Sequence, residues 1–321
     1  MTRLAYQIPN FTYPGGDPAG IMDSVIAQAK AAEDAGFDRV MVMDHFYQLP
    51  MIGAPNEPML ECYTLLSAIA QHTSTVRLSS LVTGNTYRHP TLLAKTVTAL
   101  DHVSGGRATL GIGAGWFELE HTSLGYEFGT FTDRFEKLDE AMQIIVPMLK
   151  GETVSLDGKH YQVQDAMNFP APISDIPIMI GGSGEKKTLR MVAQYANESN
   201  LGGATVDEIP RKLDALDAHC QRLGRDRSEI KVTSLQMVHV APTMEEAEAD
   251  LRATGAAKGW NDEIIEMAKM LLVYGDPDTV GEKLQAAMDT GIDGLTVNLP
   301  GNGHQLDRIG LLGEVGLKVT A

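Results

Sequence analysis

A parallel (β/α)8 TIM barrel with insertions is the α/β fold class predicted for this chain of 321 residues, and three observations predict it. Eight short apolar runs alternate with amphipathic helical patterns from one end to the other. Strands separated by helices build right-handed parallel βαβ units, and about eight such units in this length fit a closed barrel. Two strand entries also share one chemistry: Ala35-Gly36-Phe37-Asp38 and Thr290-Gly291-Ile292-Asp293 each place a glycine two residues before an aspartate and then a strand. Glycine there takes the left-handed position that ends a helix. A doubly wound open sheet is the alternative.

The elements follow in order. Strand Leu4–Ile8 leads through helix Ile21–Ala35 to strand Val40–Met43, and helix Met59–His72 leads to strand Leu78–Val82. Helix Pro90–Val103 precedes strand Ala108–Ile112, and helix Asp133–Lys150 precedes strand Ile178–Ile180. Helix Lys186–Ala196 feeds Glu198–Leu201, helix Val206–Leu223 feeds Thr233–Val240, and helix Pro277–Thr290 feeds Gly294–Asn298. Within Asp133–Lys150, Phe135, Leu138, Met142, Ile145 and Leu149 step by three and four, which is one apolar face. Asp133 with Glu136 reads as a capping box, and Lys150-Gly151 closes the helix. Gly151–Pro177 changes composition and reads as an insertion within 116–177 of a single domain spanning 1–321. Trp260 and the Met-rich run Ile264–Leu272 read as an apolar helical face for core or subunit contact.

Composition narrows the function classes. Net charge is −16 with a pI near 4.9, which opposes general binding to nucleic acid or anionic membrane because phosphates would meet like charge. No stretch approaches the roughly 18 apolar residues of a membrane span, and MTRLAYQIPN lacks the charged-then-apolar pattern of an export signal. Cys62 and Cys220 stand far apart and outside any CxxC, so buried thiols in a reducing cytoplasm are expected. Nine histidines contain no HxH or HExxH, and no metal site is expected.

In a barrel the chemistry belongs at the C-terminal strand ends. Two of those ends are rich in glycine. Gly111-Ile-Gly113-Ala-Gly115-Trp116 ends the fourth strand, yet it is no dinucleotide fingerprint, because Trp116 stands where the third glycine is needed and no helix follows at once. Its glycines are expected to clear space beside a ring, with Trp116 as a wall. Gly181-Gly182-Ser183-Gly184 runs into Glu185-Lys186-Lys187-Thr188 and a helix, so backbone N–H groups, the Ser183 hydroxyl and a helix N-terminus suit an anion. Together the two rims suggest a phosphorylated planar cofactor. Asp44-His45 follows the second strand, where a carboxylate and an imidazole suit proton transfer; a hydrogen-bonded structural pair is the equal alternative.

The ordered motifs YQIPN, VMDHFYQLP, LVTGNTYRHPTLLAK, GGRATLGIGAGWFELEH, RFEKLDEAMQII and IGGSGEKKTLR resemble the bacterial-luciferase-like flavin and deazaflavin oxidoreductase superfamily. Within it, the chain resembles the coenzyme F420-dependent oxidoreductases over nearly its full length. The resemblance implies a cofactor across the barrel mouth and a non-prolyl cis peptide at Ser80-Leu81 behind its central ring. It further implies a ring contact from Thr83, phosphate at Gly181-Gly182-Ser183, and Asp44 and His45 as a ring-edge carboxylate and a proton donor. Sugar-phosphate-oxidising relatives carry tryptophan at the place of Leu49 and an acid at the place of Trp116. Both departures argue against that substrate, and Glu118 is too offset to inherit the acid's role.

The reading is therefore an F420-dependent oxidoreductase exchanging a hydride with a small organic substrate, with His45 as acid or base and Asp44 holding His45 or a polar group of the ring. An FMN-dependent monooxygenase supplied by a separate reductase is the alternative, and a non-catalytic flavin-binding protein the second. A homodimer is expected, and Trp116 and Leu49 are expected to border the substrate.

Overall fold

The computed structural model describes residues 3–321; Met1 and Thr2 of the opening segment lie outside them. Eight parallel strands close on themselves in sequence order: β1 Leu4–Ile8, β2 Arg39–Val42, β3 Arg77–Ser80, β4 Ala108–Gly113, β5 Ile178–Gly181, β6 Glu198–Leu201, β7 Lys231–Val240 and β8 Gly294–Asn298. Parallel registers run Ala5↔Arg39, Val40↔Leu78 and Met179↔Glu198, and β8 returns to β1 through Leu4↔Leu295. Closure removes the free edges that an open doubly wound sheet would keep. A two-residue strand, Thr83–Gly84, pairs with the end of β4.

The strand-entry chemistry is as expected. Gly36 and Gly291 have φ of 84° and 93°, a region open to glycine at little cost. The aspartates two residues on cap neighbouring strands: Asp38 Oδ2 accepts from Arg3 N at 2.7 Å and Leu4 N at 3.1 Å, and Asp293 Oδ2 accepts from Val232 N at 2.9 Å.

Two helix starts differ from expectation. Helix Phe131–Leu149 is capped by Thr130, with Asp133 completing the box, so Asp133 answers the cap rather than being it, and Glu136 instead pairs with Lys159. The fifth barrel helix begins at Thr188, because Glu185–Lys187 form a turn first. The insertion holds the short helix Glu118–Leu124 and a hairpin, Val154–Asp157 with Gln162–Ala166. Strand and helix side chains merge into one apolar cluster between barrel and helices, including Leu4, Ile8, Leu78, Leu110, Ile112 and Ile145. The helix Asp262–Leu271 buries Ile265 in a small cluster with Ala247, Leu251 and Tyr274, against which Trp260 packs, but leaves Met267, Met270 and Leu271 exposed. Among the described residues, no helix is long and apolar enough to cross a membrane. Both cysteines are buried and unpaired.

Candidate active site at the barrel mouth

Protein atoms crowd the glycines that end the fourth strand. A Cβ on Gly111 would lie 2.1 Å from the Ser80 carbonyl oxygen, and one on Gly113 would lie 2.9 Å from Val82 Cγ2. Gly181 on β5 faces the same side chain, 2.8 Å from Val82 Cγ1. The two glycine-rich ends therefore grip one bulge between them. Gly115 is confined likewise: a Cβ there would meet Thr86 Oγ1 at 2.8 Å.

The bulge carries a cis peptide at Leu81–Val82, one residue beyond the expected Ser80-Leu81. Leu81 and Val82 are half-buried, while Ser80 and Thr83 are buried behind them. Their hydroxyls are spent on each other at 2.7 Å, on the Tyr63 hydroxyl at 2.6 Å from Thr83, and on the Gly111 carbonyl at 2.9 Å from Ser80. Ser80 and Thr83 thus support the bulge from behind rather than line the mouth.

Asp44 and His45 part company. The Asp44 carboxylate, 3% exposed, accepts two hydrogen bonds from Arg88 at 2.7 and 2.9 Å and one from Gly84 N at 3.1 Å. Burial pushes the Asp44 carboxyl up from its ordinary range, and Arg88 and the Gly84 amide only partly oppose it. His45 is held instead by Glu120, with Nδ1 2.9 Å from Oε2. Glu120 also accepts from Phe46 N at 2.5 Å, Tyr47 N at 2.9 Å and the Tyr87 hydroxyl at 2.5 Å. Burial pushes this carboxyl up, but the bonds from His45, Tyr87 and Tyr47 outweigh it and hold it below the ordinary range. Trp116 is 55% exposed and stands edge-on to the His45 ring at 5.8 Å. Leu49 is buried with Met43, Ile52 and Phe117, beneath the loop rather than on its surface.

Arg88 and Glu120 were not foreseen from the sequence. The available signal was local: Glu118-Leu-Glu120 opens a short helix, on which Glu118 is exposed and Glu120 is buried. Which of the two acids turns inward depends on how that helix docks.

At the other rim, Ser183 is half-exposed and Gly184 and Lys186 are exposed. Gly182 adopts φ 119° and donates its N–H to Asn200 O at 2.9 Å. Lys187 bends away, reaching Thr132 Oγ1 at 3.2 Å over the Phe131 ring. Arg211 and Lys212 are taken by Glu185 at 3.1 and 2.9 Å. Lys186 is thus the loop cation left pointing to solvent. Near the mouth centre, Asn10 Oδ1 and Asn298 Oδ1 are buried with no partner among the described residues. Unmet acceptors, a half-buried flat bulge and a loop suited to an anion fit a planar, polar-edged, phosphate-bearing group.

Residues 2–294 match the luciferase-like monooxygenase family. An F420-dependent glucose-6-phosphate dehydrogenase of Microbacterium testaceum is 29% identical over 298 residues, covering 85% of this chain and 86% of that one. The F420-dependent tetrahydromethanopterin reductase of Methanopyrus kandleri superposes with a TM-score of 0.78 at 20% identity, covering 100% of this chain and 99% of that one. A monooxygenase of Streptomyces bottropensis gives 0.80 at 18% identity, covering 99% and 100%. A closed barrel in sequence order, its bulged third strand and a match over this span place the chain in the luciferase-like monooxygenase family.

Proposed function

We propose that this protein is an oxidoreductase that binds coenzyme F420 across the barrel mouth and acts on a small organic substrate. The observation that carries the reading is the half-buried Leu81–Val82 bulge held at the barrel mouth between two glycine-rich strand ends, one leading to Trp116 and the other to the Ser183 loop. The F420-dependent relatives support this cofactor over FMN.

Gly181, Gly182, Ser183 and Gly184, with Lys186, would hold the phosphate, and Leu81-Val82 would back the ring. When bound, F420 supplies hydride exchange. His45 gives or takes the accompanying proton, a contribution of about 10²–10⁴ in rate. Asp44 anchors Arg88 and the Thr83–Gly84 strand rather than His45. Sugar phosphate is not carried over from the relatives, because Leu49 sits within an apolar cluster and Trp116 presents an uncharged ring at the mouth. The chain is further read as a cytoplasmic homodimer, supported by the two buried thiols and the exposed Met267, Met270 and Leu271; sedimentation tests the dimer.

The test is reconstitution with F420 and with FMN, followed by fluorescence. F420 binding is expected; micromolar FMN binding without F420 binding would establish the monooxygenase reading in its place. His45→Ala is expected to keep cofactor binding and to lose about 100-fold or more in turnover against a panel of alcohols and carbonyls.

A further inference from the structure

Glu120 is a buried carboxylate with more donors than a cap or a surface pair would use. Its side chain is wholly buried, and four donors converge on its two oxygens: Phe46 N and Tyr47 N on Oε1, the Tyr87 hydroxyl and His45 Nδ1 on Oε2. An ionised carboxylate accepts hydrogen bonds and donates none. With the acid ionised, the His45 nitrogen facing it must therefore carry the proton. The other nitrogen, Nε2, is then a bare acceptor, and it has no hydrogen-bond partner among the described residues.

The frame around this pair is rigid. Tyr87 packs on the His121 ring at 4.9 Å, and His121 is tied to Thr86 at 2.7 Å and to the Phe117 carbonyl at 2.8 Å. The Trp116 and Phe117 rings stand side by side, 5.3 Å apart, and each meets the His45 ring near a right angle at 5.8 Å. Ring rotation would break the Nδ1 bond to Glu120.

We propose that Glu120 is the positioning residue of His45, fixing its Nδ1–H tautomer so that Nε2 alone exchanges a proton with the substrate. The proposal rests on the reading of His45 as the proton-transferring group. In the oxidising direction the substrate O–H bond breaks and an Nε2–H bond forms as the substrate carbon gives up its hydride to oxidised F420. The imidazolium so formed faces the Glu120 carboxylate, which stabilises it.

The test needs no identified substrate. Protein with ¹⁵N-labelled histidine is compared with Glu120→Gln and Glu120→Asp by ring-nitrogen NMR, the His45 signals being assigned by their loss in His45→Gln. The expected result is an Nδ1–H tautomer at neutral pH in the native protein. In E120Q the amide donates to Nδ1, and the Nδ1–H form is lost in favour of Nε2–H. E120D keeps the native tautomer at least in part and guards against a variant that fails to fold. An Nε2–H tautomer in the native protein, or no change in a folded E120Q, would overturn the proposal. The two layers fail separately: full turnover in His45→Ala would remove the catalytic reading and leave the tautomer result standing. A glutamate-independent tautomer removes Glu120 alone.

Discussion

The two glycine-rich strand ends look alike in sequence and do different work. At β4, Gly111, Gly113 and Gly115 are pressed against Ser80, Val82 and Thr86, so protein atoms crowd the place of the absent side chains. At β5, Gly181 shares that role against Val82, but the loop beyond it opens to solvent at Gly184 and Lys186. One rim is a packing joint that leads to the buried Glu120, which holds a half-buried His45. The other opens into a solvent-facing loop after one residue. A glycine run at a strand end therefore says that backbone comes close to something, not what that something is.

The comparison breaks most readily at Gly111. Gly111→Ala places a Cβ 2.1 Å from a backbone oxygen that cannot rotate away, and a loss of about 3 kcal/mol or more is expected by denaturant unfolding. An unchanged midpoint would show that the joint is soft. Next come Gly113→Ala and Gly181→Ala, each expected to cost about 1–3 kcal/mol. Val82→Ala should rescue both, because one side chain supplies both contacts. Additive double mutants would show that the two rims do not share the bulge. Gly184→Ala meets only the Thr188 hydroxyl at 2.9 Å, a side chain able to turn, and should cost less than either.

Smaller effects separate binding from folding. Lys186→Ala should weaken F420 binding by about three- to tenfold, with the loss shrinking at high salt and the melting temperature unmoved. The same substitution changing stability instead would place Lys186 in the structure rather than the site. Smallest is the acid response. The Glu120 carboxyl is held below its unfolded value, so its contribution is present above about pH 4.3 and disappears as pH falls through the depressed folded value. E120Q should flatten unfolding stability against pH in that acid window. Glu185→Gln on the other rim should flatten it in the same direction, because the bond from Lys212 also holds that carboxyl below its ordinary range.

Much of this was legible in the residues. The barrel order, the glycine–aspartate strand entries and the mouth location of His45, Trp116 and the Ser183 loop follow from periodicity and turn chemistry, which act over a few residues. The misreadings were of partnership. Asp44 and His45 are neighbours in the chain, yet Arg88 takes the first and Glu120 the second, because adjacent residues at a strand end point to opposite sides. Thr130 rather than Asp133 caps its helix because both residues suit the box and only the chain path chooses between them.

By itself the sequence determined a parallel barrel, its acidic composition, and which strand ends face the mouth, because apolar period and glycine placement are local physical constraints. Tertiary structure alone decided that Val82 fills both glycine gaps, that Ser80 and Thr83 face inward, and that Glu120 instead of Glu118 meets His45. Those choices depend on how a short helix docks across the mouth, and docking is set by contacts between residues as far as 75 positions apart in the chain.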